Sequence, residues 1–322
     1  MGHIEELDAD DAIVDPPPPP GPEAVPKSNG LLSLRSTIGE SGCFNGPWGV
    51  ALLPEGMLCV SERHGARLQL VQPASIDRCA AIASAVQLDD IQDVVADAGP
   101  SVWVADMGTH AVHRIDVKSG EALESLHDGL SYPRCLALQQ NNARGALPDD
   151  GTSVAGPRLP QKILWVGDSG HSRVVAYDAE TLSVILEFGE STGENDGVFA
   201  PGRLQLTLGL CVDEEHGEVF VVDGHFERIS VFASSNGKFV RCIGQPGTGP
   251  GEFKSPFDAL IVRGRLVVTE ATRVQVLTLE GVPLSVVELP DASNLAGLCL
   301  DGDLIHVCDY TRGCIYSLEV GW

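Results

Sequence analysis

The sequence predicts an all-β protein, a six-bladed β-propeller of four-stranded antiparallel blades. Three observations predict it. Short runs rich in Val, Ile, Leu and aromatic residues alternate with Gly, Asn and Asp turns along most of the 322 residues. The runs group into units of about 40 residues, the size of a propeller blade. The last unit is one strand short, and a spare strand precedes the first.

Residues 1–30 stand apart. They hold five consecutive prolines at 16–20, and seven acids against one base, a charge of −6 out of the chain's −24. Such a segment has too few apolar residues to offset the entropy of ordering, so a disordered acidic tail with polyproline II character is expected. A plain linker is the simpler reading of it, and a polyproline ligand the alternative.

Residues 31–38 (LLSLRSTI) form the spare strand. Unit one follows with GVALL, MLCVSE, ARLQLV and the weaker CAAIASAV. Unit two has DVVADA, SVWVADM, AVHRIDV and ALESLH. Unit three has RCLALQ, KILWVGD, RVVAYDA and SVILEFG. Unit four, 209–244, is the clearest copy, with apolar runs at Leu210–Val212, Val219–Val222, Ile229–Phe232 and Phe239–Ile243. Its Asn236-Gly237 pair tolerates positive φ and suits a tight hairpin. Unit five has DALIV, RLVVTE, RVQVLTL and PLSVVEL; unit six has only GLCL, LIHVCD and CIYSLEV. Pairing 31–38 with the last three strands closes the ring and removes the sheet edges that invite aggregation.

The second strand of each unit ends in an acid: Glu62, Asp106, Asp168, Asp223, Glu270 and Asp309. The gaps between them are 44, 62, 55, 47 and 39 residues. The two longest contain Gly-rich insertions, at 141–161 and 190–207. The first joins strands one and two of unit three, so it should project from the face opposite the loops that follow the acids, as a second docking element or a tolerated loop.

The segment FNGPWGVALLPEGMLCVSERHGARLQLV (44–71) resembles the NHL repeat. So do GTGPGEFKSPFDALIV (247–262) and DSGHSRVVAY (168–177). The resemblance spans 31–322, is best in units one, three and four, and implies a six-bladed propeller. In this reading the acids are structural: Glu62, Asp168 and Asp223 pair with Arg67, Arg173 and Arg228 to pin the loop between strands two and three.

Those loops and the starts of the first strands converge on one face around the central channel. It should gather Trp48, Arg63, His64, Met107, His110, Arg134, His171, His225, Phe257 and Tyr310. A zinc site needs three or four ligands converging. The histidines instead fall two, three or four residues after their acids, out of register, so no metal is assigned. A resemblance to the peptidyl-hydroxyglycine amidating lyases would require histidine after the strand-opening prolines. The chain has Pro47-Trp48, Pro133-Arg134 and Pro256-Phe257. A lactonase-type propeller of the regucalcin class would require a calcium set with Asn at blade starts, which is missing. No Gly-x-Ser-x-Gly elbow is present, and GQPGTGPG (244–251) leads into no helix.

The expected function is a non-enzymatic scaffold that binds a protein partner through this face, with no catalytic residue and no cofactor. A propeller enzyme, lactonase-like or lyase-like, is the alternative, and an RNA-binding NHL module a further one. A net charge of −18 outside the tail opposes nucleic acid. No apolar run approaches the ~20 residues of a membrane span. Nine cysteines without a Cys-x-x-Cys pair, and no basic-then-apolar leader at the N-terminus, lead us to expect reduced thiols in a cytoplasmic or nuclear monomer.

Overall fold

In the computed structural model, Leu32–Ile38 (β1) pairs antiparallel with Cys314–Val320, the last strand of the chain. The ring is therefore closed by its two ends, as the strand count predicts. The structure describes residues 30–39, 43–73, 79–82, 86–140, 160–189 and 201–322. The tail before residue 30 and most of the two insertions lie outside these.

Blade 1 is β2 (Pro47–Leu52), β3 (Leu58–Glu62), β4 (Arg67–Val71) and the short β5 (Cys79–Ala81). Blade 2 is β6 (Ile91–Ala96), β7 (Ser101–Asp106), β8 (Ala111–Asp116) and β9 (Ala122–Leu126). Blade 3 is β10 (Pro133–Gln140), β11 (Lys162–Asp168), β12 (Arg173–Asp178) and β13 (Val184–Phe188), with one 3-10 turn at Ser169–His171. Blade 4 is β14 (Thr207–Asp213), β15 (Glu218–Asp223), β16 (Arg228–Ala233) and β17 (Phe239–Ile243). Blade 5 is β18 (Pro256–Val262), β19 (Arg265–Glu270), β20 (Arg273–Thr278) and β21 (Pro283–Glu288). Blade 6 is β22 (Leu295–Asp301), β23 (Leu304–Asp309) and β24 (Cys314–Val320), with β1 outermost.

Burial grades outward as blade geometry dictates. The second strands are sandwiched between neighbouring blades, so β7 is buried at every position and β15 at all but its first. The outermost strands β13 and β1 are mostly exposed. The apolar core is divided into six clusters among the described residues, and each fills the seam between two adjacent blades. The seam between blades 1 and 2, for example, packs Ala51, Cys59 and Leu68 against Ile91, Val94, Val104 and Ile115. Blade 6 meets blade 1 in the same way, through Ala296, Cys308 and Ile315 against Val50, Leu58 and Val60.

Each innermost strand slips register near its start, between Pro47 and Val50, Ile91 and Val94, Pro133 and Cys135, Thr207 and Gly209, Pro256 and Asp258, and Leu295 and Leu298. A bulge bends a strand and re-aims one side chain. Six equivalent bulges therefore set a ring of positions at one mouth of the channel: Trp48, Gln92, Arg134, Leu208, Phe257 and Ala296.

Candidate functional site

The acids that end the second strands are buried in all six blades. Each accepts backbone N–H groups from the loop that leads into its own blade. Asn45 N donates to Glu62 Oε1 at 2.8 Å, Asp89 N to Asp106 Oδ2 at 2.9 Å, and Ser131 N to Asp168 Oδ1 at 2.7 Å. Leu206 N reaches Asp223 Oδ1 at 3.2 Å, Lys254 N reaches Glu270 Oε1 at 2.7 Å, and Ser293 N reaches Asp309 Oδ2 at 3.0 Å. Three of them also hold the arginines read from the sequence. Arg67 pairs with Glu62, Arg173 with Asp168 at 2.9 Å, and Arg228 with Asp223 at 3.6 Å. Arg273 does the same for Glu270 at 2.7 Å. Burial raises the carboxyls of Asp106 and Asp223 above the usual range. The geometry is that of a staple: a carboxylate with its oxygens committed to backbone donors fixes a loop.

Five of the ten side chains placed on this face by the sequence come together. Trp48 meets Phe257 edge-on at 5.6 Å between ring centroids and Tyr310 at 5.2 Å. Tyr310 Oη and His64 Nε2 share a hydrogen bond of 2.6 Å. The Arg63 guanidinium lies 5.1 Å from the Trp48 ring centroid and 5.9 Å from that of Tyr310. It is held there by Asp90, through Nε at 2.5 Å and Nη2 at 3.2 Å. Blades 1, 5 and 6 thus build one aromatic cluster. Trp48 is its floor at 9% exposure, while Phe257, Tyr310 and Arg63 are half-buried and His64 is exposed.

The other five are placed apart from that cluster or at its margin. His110 stacks near Tyr132 at 4.3 Å, His171 bonds to its own acid Asp168 at 2.8 Å, and His225 lies against Phe226. Each is engaged within its own neighbourhood, and among the described residues no group of three or more His, Cys, Asp or Glu side chains is arranged to hold a metal. Met107 donates its backbone N–H to the Asp90 carbonyl at 3.3 Å. Arg134 is half-buried within electrostatic range of Arg63 and Asp90.

Below the mouth the channel opens into a cavity of about 340 Å³. Its walls are the inner strands, from Asp93 and Asp258 down past Leu52, Ala96, Leu138 and Leu300 toward the opposite face. Trp48, Phe257, Leu208 and Ala296 close its upper end, leaving between themselves and the two aspartates a void of about 10 Å³, room for one water. Asp93 follows Gln92 in the mouth ring, and Asp258 follows Phe257. The same register position is Gly49, Cys135, Gly209 and Gly297 in the other blades. The glycines are needed: a Cβ at Gly49 would stand 2.8 Å from Asp93 Oδ1, and one at Gly209 would collide with Asp258 Oδ1.

Each aspartate clips two blades together. Asp93 accepts Val94 N and, from blade 3, Leu136 N, both at 2.8 Å. Asp258 accepts Ala259 N at 2.8 Å and, from blade 6, Leu298 N at 3.3 Å. Both carboxyls are surrounded by protein yet open partly onto the channel. Burial pushes Asp93 up to about 7, against the lowering effect of its two N–H donors. Burial, and then the charge of Asp93, hold Asp258 well above the carboxylate range. Sequence reading missed this pair because both acids open apolar runs, DVVADA and DALIV, and pass for strand boundaries. The available signal was their common place, one residue after a mouth position.

Residues 211–294 match a protein-family model described as a 6-bladed beta-propeller. No curated protein matches the chain. Among solved structures, virginiamycin B lyase from Staphylococcus aureus superposes with a TM-score of 0.61 at 14% identity, over 89% of this chain and 99% of the lyase. A streptogramin B lyase gives 0.61 at 14% identity over 90% and 98%. A chain of a nidogen/laminin complex gives 0.54 at 13% identity over 78% and 83%. At such identities the likeness is one of fold, and it joins enzymes and binding proteins alike.

Proposed function

We propose that this protein is a non-enzymatic propeller scaffold that binds a protein partner through the mouth formed by Trp48, Phe257, Tyr310, Arg63 and His64. The observation that carries the reading is the aromatic and arginine cluster itself. Aromatic and arginine side chains are the usual anchors of interfaces, and here three blades hold them rigidly on one face. The repeat pattern of the NHL type supports the same role, since its motifs specify a ring and leave the loops free to recognise. Among the described residues eight cysteines are free, five of them buried, which supports a monomer working in a reducing, cytoplasmic compartment.

The test is affinity enrichment with the whole chain, its Trp48→Ala and Tyr310→Ala variants, followed by titration of each purified candidate. A partner bound by the wild type at least tenfold more tightly than by either variant supports the reading. Candidates that bind all three chains equally overturn it.

The paired aspartates favour a second reading, in which the cavity takes a small molecule and the protein is a propeller enzyme. A carboxyl held protonated near neutrality is suited to acid–base work. Turnover of any substrate that is lost in both Asp93→Asn and Asp258→Asn would establish it in place of the first.

A further inference from the structure

Arg134 is the one mouth residue whose charge is left unanswered. It occupies the bulge position of β10, equivalent to Trp48 and Phe257. Its Nε is buried without a hydrogen-bond partner, and among the described residues no carboxylate forms an ion pair with it. The anion nearest to it in effect is Asp90, and that carboxylate is already taken: Arg63 holds both oxygens, and Gln92 Nε2 bonds to Oδ1 at 2.7 Å. Burial, and then repulsion from Arg63, draw the Arg134 guanidinium below its ordinary value. A half-buried guanidinium without a counter-ion loses hydration and receives nothing for it. Two arginines within mutual range, with one carboxylate between them, leave a surplus positive charge on a chain that is otherwise strongly negative.

We infer that Arg134 is the receiving group for a carboxylate of the partner, so that the mouth recognises an acidic side chain or chain end set beside an aromatic or aliphatic group. The inference rests on the binding role proposed for this face and specifies the chemistry of its ligand. The planar guanidinium fork matches a carboxylate through two parallel hydrogen bonds. Trp48, Phe257 and Tyr310 supply apolar surface on the same face, linked to Arg134 through Arg63, which stacks on Trp48 and lies within electrostatic range of Arg134. Arg63 is already fixed by Asp90 and acts by stacking on Trp48. A phosphate backbone would also seek arginine, but it would have to approach a body carrying −18 outside the tail.

The whole chain, labelled with 15N, is titrated with phenylacetate, phenethylamine and phenyl phosphate, and the indole N–H signals of the four tryptophans are followed. Trp103 and Trp165 are fully buried and report on the fold, while Trp48 reports on the mouth. Phenylacetate is expected to move the Trp48 signal saturably. The effect should weaken at least fivefold in Arg134→Ala, less in Arg134→Lys, and not at all in Arg67→Ala. If the Trp103 and Trp165 signals show that Arg134→Ala is misfolded, Arg134→Lys and Arg134→Gln carry the comparison. Absence of phenylacetate binding, equal binding by the Arg134 variants, an equal response to phenethylamine or tighter binding of phenyl phosphate each overturn the inference. Partner binding lost in Trp48→Ala but kept in Arg134→Ala would refute it while leaving the mouth's binding role standing. Partner binding unaffected by either substitution would remove both.

Discussion

Asp93 and Asp258 occupy the same register position on inner strands three blades apart, and together they line the closed end of one channel. Each spends its oxygens on backbone N–H groups of its own blade and of the next. They therefore act as two clips on opposite sides of the ring. They also place two acids in a cavity where ionising both is costly.

The stability of the ring should fall as pH rises through the neutral range. The folded Asp93 carboxyl sits at about 7, above its ordinary 3.8. A group raised in this way contributes fully below about pH 4 and loses its contribution as pH climbs through about 7. Cys135, Cys211, Cys299 and Cys308 are in electrostatic contact with the pair, and Glu214 lines the same cavity. The buried thiols are themselves held above the usual thiol range, so they stay uncharged in this window. Asp93→Asn should gain in Tm relative to the wild type by on the order of 3 °C between pH 5 and pH 8. Thermal unfolding at the two pH values checks it; a parallel pH dependence in the two proteins would refute the shared titration.

The acid staples should outweigh the ion pairs that accompany them. Asp168→Ala leaves Ser131 N and the Nε of Arg173 without their buried acceptor, while the rest of that guanidinium keeps Glu187 and the Gly129 carbonyl, at a cost of about 3 kcal/mol. Arg67→Ala removes a half-exposed partner of Glu62 Oε2, while Oε1 keeps Asn45 N and Gln69 Nε2, and should cost about 1 kcal/mol or less. Denaturant midpoints of the two variants give the order.

The close approach of the inner strands should make their glycines sensitive to a single methyl group. At Gly297 an added Cβ would stand 2.6 Å from the Trp48 carbonyl oxygen, and this is backbone that cannot swing aside. Gly297→Ala should destabilise by ~1–3 kcal/mol. Gly49→Ala should also perturb the Asp93 carboxyl, read as a change in the pH profile of stability.

The fold was legible in the sequence because its two determinants are local. Asn236-Gly237 and the Gly-rich turns mark strand ends, and the repeating acid marks the blade. Even the closure of the ring followed from a surplus strand at one end and a deficit at the other. The site was legible only in part. Trp48, Arg134 and Phe257 were found because each follows a strand-opening proline. Asp90 and Gln92, which decide what Arg63 and Arg134 can do, lie in a blade without that proline. The histidines looked like a set because they share a loop. Their different distances from the acids send them to Tyr310, Tyr132, Asp168 and Phe226 instead.

Removing residues 1–29 should leave Tm unchanged within about 1 °C, since β1 and its pairing with β24 remain. Removing 1–38 takes away β1 and bares an edge of β24, and should lower Tm and produce concentration-dependent association. Light scattering and thermal melts of the two truncations separate these outcomes.

The pairing of β1 with β24 also dictates an order of events during synthesis. Arg35 and its partner Glu319 are 284 positions apart. At ribosomal rates of about 5–20 residues per second, the strand made first waits roughly 15–60 s for the strand that receives it. Blades 1 to 5 can assemble on the emerging chain, but blade 6 stays incomplete until β24, which joins β1 to β23, has been made. Through that interval Leu32–Ile38 remains a loose strand beside a growing row of blades. A paused or shortened message would therefore release an open arc with an unmatched strand, the form of this protein that a chaperone has most reason to hold.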